Sequence, residues 1–297
     1  MSSVVSRRDF LRAATLASAA ILLPGRSFAS EPEFPKMVSL GKTLKFPLLG
    51  IGTGVKAGNR SNGLWRSGEE NFNATINKAY DEGVRLFDCA DSYGSLPHVG
   101  NILKGKPRDS YVLISKVWCS PGGGIPKDEP RDNAKAVVER FLKEAQTDYI
   151  DLVQMHCQMD KDWTTKYRKQ MDQLEECKAK GMIRAHGCSC HTLAALETAA
   201  DEPFVDVVHT RINPFGLVMD DSVEKVVPVI KKIHANGKGV IGMKLIGEGR
   251  LGKDPDKINE SLKFVIGLGC VDVLVVGFDN PEQIVDYKAR VQKTLAA

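Results

Sequence analysis

No apolar run in this chain is long enough to cross a bilayer, which takes about twenty residues. The N-terminal apolar stretch, Ala13–Leu23, has eleven and includes Thr15 and Ser18. Net charge is also scarce. The formal balance is +4, but Arg7, Arg8, Arg12 and Arg26 against Asp9 put +3 of it in the first 29 residues, leaving a near-neutral +1 for the rest. A remainder so poor in positive charge excludes a nucleic-acid binder, whose phosphate contacts need a basic face. The seven cysteines, Cys89, Cys119, Cys157, Cys177, Cys188, Cys190 and Cys270, are odd in number and spaced like no disulfide framework, which predicts buried thiols. A dinucleotide fingerprint is missing too, because no helix opens directly behind Gly50-Ile51-Gly52-Thr53-Gly54. What remains is ordinary globular material: 297 residues, 42% hydrophobic and 26% charged, enough for a sizeable core.

The first 29 residues have the three parts of an export signal: a charged start at Ser6-Arg7-Arg8-Asp9-Phe10-Leu11-Arg12, a short apolar middle, and small residues at Ser27 and Ala29 around Phe28. The paired arginines before Phe10-Leu11 resemble a twin-arginine signal, which carries folded proteins. The expected organisation is a signal at 1–29, a linker at 30–36 and one domain at 37–297. The expected location is periplasmic, with no stable membrane anchor after cleavage.

Along the expected domain, Val38–Leu40 and Leu44–Phe46 flank Gly41-Lys42 and read as a β-hairpin. Eight short β-rich apolar runs follow, at Leu48–Gly52, Val84–Asp88, Tyr111–Lys116, Ile150–His156, Met182–Ser189, Val205–His209, Val240–Lys244 and Val271–Val276. Eight helical stretches alternate with them, near Asn71–Glu82, Val99–Lys104, Asp132–Ala145, Trp163–Lys180, Leu193–Ala200, Ser222–Ala235, Lys257–Leu268 and Pro281–Thr294. Strands apolar on both faces must pair in parallel beneath covering helices. Eight such units predict an α/β fold of the (β/α)8 TIM-barrel type, with the hairpin closing its bottom.

In such a barrel the carboxyl ends of the strands face the catalytic mouth. Period-two alternation places Asp88 with Val84 and Leu86, Lys116 with Val112 and Ile114, and His156 with Ile150, Leu152 and Gln154. Three inward-pointing ionisable residues therefore share one rim, and Tyr93 stands on the loop five residues past Asp88. A Lys beside a Tyr favours tyrosinate, and an Asp beside that Lys keeps it charged, so the expectation is a Tyr93 pKa drawn down from about 10.

Here the chain resembles the aldo-keto reductases. The resemblance rests on Leu49–Thr53, Gly83–Ser95, Ile114–Trp118, Asp148–His156, Gly181–Gly187, Asn213-Pro214 and Pro281–Gln283, in that order. It implies hydride transfer between a nicotinamide cofactor and a small carbonyl or alcohol, with Asp88, Tyr93, Lys116 and His156 as the catalytic tetrad. Tyr93 would give the proton, Lys116 and Asp88 tune it, and His156 orient the carbonyl. The resemblance also implies Gly52, Thr53, Ser189, Cys190, His209, Lys244, Gly277, Asp279 and Gln283 around the cofactor. Trp118 and Cys119 would wall the substrate pocket, and the protein would be a monomer.

The chain leaves the family pattern in places. Cys190 stands where members carry an Asn that holds the carboxamide, and His209 where they carry a Gln. The Lys and Arg that clasp a 2′-phosphate in many members correspond to Gly277 and Gln283, with Asp279 between them. Lys244 and Arg250 offer positive charge from elsewhere, so NADP and NAD stand nearly level, with family habit tipping towards NADP. The chain ends soon after its eighth helical stretch, short of the loop that covers substrate in many members, which predicts an open pocket. Two rival readings stay open. His156, Cys157, Cys188, Cys190, His191 and His209 form the ligand inventory of a zinc hydrolase, though no carboxylate follows at metal-site spacing and no metal is expected. A cofactor-binding protein of the same fold without turnover is the other.

Overall fold

The computed structural model describes residues 33–297, so the signal at 1–29 lies outside the described residues. A two-stranded antiparallel hairpin, β1 (Met37–Leu40) and β2 (Leu44–Pro47), comes first. Eight parallel strands follow: β3 (Leu49–Gly52), β4 (Leu86–Asp88), β5 (Val112–Val117), β6 (Ile150–Gln158), β7 (Ile183–Cys190), β8 (Val207–Arg211), β9 (Gly239–Met243) and β10 (Val273–Val276). They pair in chain order, and β10 pairs back with β3 to close the barrel. The helices between them are α1 (Gly63–Arg66), α2 (Glu69–Asp81), α3 (Leu96–Leu103), α4 (Ala134–Ala145) and α5 (Trp163–Lys166). After these come α6 (Arg168–Ala179), α7 (Leu193–Asp201), α8 (Val223–Ala235), α9 (Pro255–Gly267) and α10 (Pro281–Ala296). Among the described residues no helix is long and apolar enough to cross a membrane.

Two apolar layers result from the strands' alternation. Leu86, Val112, Ile114, Leu152, Val207, Ile241 and Val273 point into the barrel. Their neighbours Phe87, Leu113, Val153, Val208, Val240 and Leu274 pack outward among the helices. Each such side chain, fully buried, contributes about 1.5–3 kcal/mol. From the hairpin, Leu40 and Phe46 join the inner layer, so β1 and β2 close the end opposite the mouth. Polar caps set the helix starts: Asn133 accepts from Ala136 N, Thr192 from Ala195 N, Asp254 from Lys257 N and Asn280 from Gln283 N.

Differences from the sequence reading fall at element ends. The stretch read as a linker is packed over its last residues, with Phe34 against the outer core and Leu48 N donating to the Lys36 carbonyl at 2.8 Å. The helix expected over Trp163–Lys180 breaks at Tyr167, whose φ of −113° leaves the helical range. The strand expected to run through Lys244 stops at Met243, because Lys244 takes a φ of 62°. Strand β6 continues past His156 through a bulge at Cys157, where φ is 57°.

Candidate active site

The ends of β4, β5 and β6 bring Asp88, Lys116 and His156 to one rim, all 5% exposed or less. Lys116 Nζ forms a buried ion pair with Asp88 and also donates to the Cys89 carbonyl at 3.1 Å. Thr53 braces this corner, its hydroxyl donating to the Asp88 carbonyl at 2.9 Å and lying 2.6 Å from Ser95 Oγ. A 3-10 turn, Asp91–Tyr93, then presents Tyr93 to the same rim. Two glycines let it do so. A Cβ on Gly54 would lie 2.4 Å from Tyr93 Cζ, so only hydrogen fits beneath the ring, and Gly94 ends the turn at a φ of 65°.

Tyr93 Oη is 3.5 Å from His156 Nε2, and Lys116 Nζ sits 5.0 Å from the Tyr93 ring centroid. Ser92 Oγ lies 3.4 Å from His156 Nδ1. Donation from Ser92 to Nδ1 leaves the proton of a neutral imidazole on Nε2, facing Tyr93. The Trp118 ring meets His156 edge-on at 5.2 Å, and its indole N–H donates to the Ser120 and Gly122 carbonyls at 3.0 and 3.1 Å. Trp118 therefore offers the mouth apolar surface.

Burial and neighbouring charge set the protonation states. Burial, then Lys116 and the histidines His191 and His209, holds His156 well below its ordinary 6.5, so it is neutral at physiological pH. His191 and His209 are both pushed down to about 3, chiefly by burial. Tyr93 departs from the sequence expectation: burial, then Asp88, raises its pKa well above 10. The charge of Lys116 is taken up by Asp88, and the ammonium faces the ring instead of the phenolic oxygen.

These histidines make acid sensitivity a stability matter. As pH falls below 6.5 the unfolded chain takes up protons at all three, while the folded chain resists until pH nears 3 at His191 and His209. Their contribution is complete above pH 6.5 and is lost progressively towards pH 3. Urea midpoints are expected to fall across that window, and His209→Gln to flatten the slope by up to one proton. Identical slopes in the two proteins would contradict this assignment.

The other expected site residues divide. Ser189 is buried and accepts from Cys157 N at 2.8 Å, which leaves its own proton to donate. His209 is fully buried within 3.5 Å of Asp88, and neither ring nitrogen has a hydrogen-bond partner. Two predicted cysteines turn away. Cys190 lies in the outer core with its sulfur 3.7 Å from that of Cys188, and Cys119 is buried in the same layer. Odd and even positions take opposite faces, so Trp118 rather than Cys119 points to the mouth, and His191 follows the parity of Ser189. Lys244 Nζ is paired with Glu248 at 2.5 Å. Gln283 Oε1 accepts from Asp279 N at 2.8 Å, and a Cβ on Gly277 would lie 2.3 Å from Val55 Cγ2. Gly52 lies at the end of β3 beside Val275. Sequence reasoning missed Ser92, Gly54 and the Arg211–Asp220 pair, none of which carries a spacing signal. Among the described residues no group of three or more His, Cys, Asp or Glu is arranged to hold a metal ion.

Comparison with known proteins gives the family and the fold. The chain is 30% identical over 168 residues to human "Aldo-keto reductase family 1 member A1", covering 49% of this chain and 46% of that protein. It is 31% identical over 193 residues to the Bacillus subtilis aldo-keto reductase YhdN, covering 60% of this chain and 56% of that one. The chain thus spans about half the length of the curated relatives it matches. Among solved structures, an aldo-keto reductase from Pseudomonas aeruginosa superposes with a TM-score of 0.71 at 25% identity, covering 91% of this chain and 100% of that one. A Klebsiella pneumoniae aldo/keto reductase, solved with NADP and acetate, shares the fold at a TM-score of 0.63 and 19% identity, over 86% of this chain and 89% of that one. The model of the aldo/keto reductase family matches residues 49–264, from β3 into α9 and through all four rim residues, and the chain belongs to that family.

Proposed function

We propose that the protein is a nicotinamide-dependent oxidoreductase that interconverts a small carbonyl compound and its alcohol. The observation that carries the reading is the 3.5 Å separation of Tyr93 Oη and His156 Nε2 at the barrel mouth, behind which stands the Lys116–Asp88 pair. A carbonyl oxygen seated between them accepts two hydrogen bonds aimed at the charge that develops there. When bound, the cofactor supplies hydride to the carbonyl carbon. Tyr93 gives its proton to the oxygen as general acid, while neutral His156 donates from Nε2 and fixes the oxygen's position. The Lys116 ammonium, paired with Asp88, lies over the ring 5.0 Å from its centroid and offsets part of the tyrosinate charge left behind.

The residues at the nicotinamide end fit such a group. His209, buried with both ring nitrogens unpartnered, and the free proton of Ser189 suit a carboxamide, which both donates and accepts. The adenosine end favours an unphosphorylated ribose: Lys244 is paired with Glu248, Gln283 is taken up by the backbone, Val55 fills the space over Gly277, and Asp279 adds an exposed carboxylate. Calorimetric titration is expected to give NADH a Kd no higher than that of NADPH. A Kd for NADPH about tenfold lower would overturn this assignment and mean that another cation receives the phosphate.

The cations nearest His156 and His191 are all paired, Lys116 with Asp88, Lys244 with Glu248 and Arg211 with Asp220, so the proposed substrate is uncharged. We propose further that residues 1–29 export the protein as a twin-arginine substrate to the periplasm. It would leave the cytoplasm folded, as a monomer, with its cofactor already held. Denaturing export-purified protein and identifying what is released tests that arrangement, and release of no nicotinamide would count against it.

A further inference from the structure

Between β3 and α1 the chain turns across the mouth with an unusual backbone: Lys56, Asn59 and Arg60 have φ values of 47°, 51° and 57°. Such conformations cost free energy for side-chain-bearing residues and persist only where neighbouring bonds hold them. Here the bonds run to two other loops. Arg60 N donates to the Ser92 carbonyl at 3.0 Å and Asn59 N to the Gly124 carbonyl at 2.7 Å. Asn62 Nδ2 donates to the Tyr93 carbonyl at 3.0 Å. The Arg60 side chain repeats both destinations, with Nε on Asp91 Oδ1 at 2.9 Å and Nη1 on Glu129 Oε1 at 2.7 Å. Asp91 opens the turn that carries Ser92 and Tyr93, and Glu129 belongs to the loop that begins with Trp118.

We propose that Arg60 is a positioning residue that ties the Tyr93 turn to the Trp118 loop and so fixes the gap between proton donor and pocket wall. The proposal rests on the reading of Tyr93 as proton donor. A planar guanidinium spreads its donors in a fixed fork that spans two carboxylates on different loops, whereas a lysine ammonium is a compact point of charge. Arg140 supplies the comparison. It holds the other oxygen of Asp91 at 2.7 Å, but its second bond goes to Glu144 on its own helix, α4. Losing either arginine removes one partner from the same buried carboxylate, and only Arg60 links the loops.

Arg60→Met is expected to lower kcat by about 10- to 100-fold, the usual cost of displacing a reacting group by roughly 1 Å. Cofactor Kd should stay unchanged. Arg140→Met is expected to leave kcat close to that of the parent, because its two bonds stay with Asp91 and its own helix. Equal losses in the two variants would overturn the proposal, because they would trace the effect to the charge balance of Asp91. Amide hydrogen exchange gives a second readout that does not depend on turnover. Arg60→Met should speed exchange at both 91–94 and 125–129, where Ile125 N and Glu129 N are hydrogen-bonded, whereas Arg140→Met should leave 125–129 unchanged. If Tyr93→Phe keeps full turnover, the proton-donor reading fails by itself, and unchanged exchange at 125–129 in Arg60→Met would sink the link.

Discussion

Tyr93→Phe is expected to lower kcat by about 10²- to 10⁴-fold, the range assigned to a positioned general acid. The change removes one oxygen, and the ring stays seated on Gly54 beside His156 and Lys116. Cofactor affinity and thermal midpoint should therefore hold while turnover collapses. The raised pKa of Tyr93 adds a pH signature. Carbonyl reduction uses the protonated phenol, which persists through the neutral range, so its rate should stay flat there. Alcohol oxidation needs tyrosinate, so its rate should climb as pH rises towards that pKa. Near-parental turnover in Tyr93→Phe would remove Tyr93 from the chemistry.

Lys116→Met is expected to destabilise the folded state strongly. Lys116 and Asp88 are ion-paired with side-chain exposures of 1% and 7%. Removing one partner leaves a buried carboxylate uncompensated, at a cost of about 3–5 kcal/mol. His209, 3.5 Å from that carboxylate, is neutral in the parent, where burial holds its pKa down to about 3. The double variant Lys116→Met/Asp88→Leu removes both charges and should recover most of the stability, because an apolar pair of similar volume in place of a buried ion pair is often neutral or better. It should recover no turnover, since nothing then stabilises tyrosinate. Chemical denaturation of the two variants separates the effects. A double variant as unstable as the single one would show that packing, rather than charge, dominates this corner.

Much of this arrangement was legible in the sequence because the strands are apolar on both faces and their period is two. The period brought Asp88, Lys116 and His156 to one rim, and the eight two-faced strands alternating with helices predicted the barrel that carries them. The same rule, carried one residue further, separates Trp118 from Cys119 and His191 from Cys190, and the cysteines now lie in the outer core. Lys244 escaped it because a positive φ ends the strand before that residue, and Glu248 then captures the ammonium. The pKa of Tyr93 was not legible, since its direction depends on how deeply the ring is buried and on whether the ammonium meets the ring or the phenolic oxygen. Arg60 gave no signal either. Its partners Asp91 and Glu129 lie 31 and 69 residues away in the chain, so only the closed barrel brings them within reach.

The hairpin has a consequence for traffic. Among the described residues, Leu40 and Phe46 fill the base of the barrel, so the rim residues open only towards the mouth. On the proposed function, substrate, product and any source of fresh reducing equivalents would all have to take turns at that mouth.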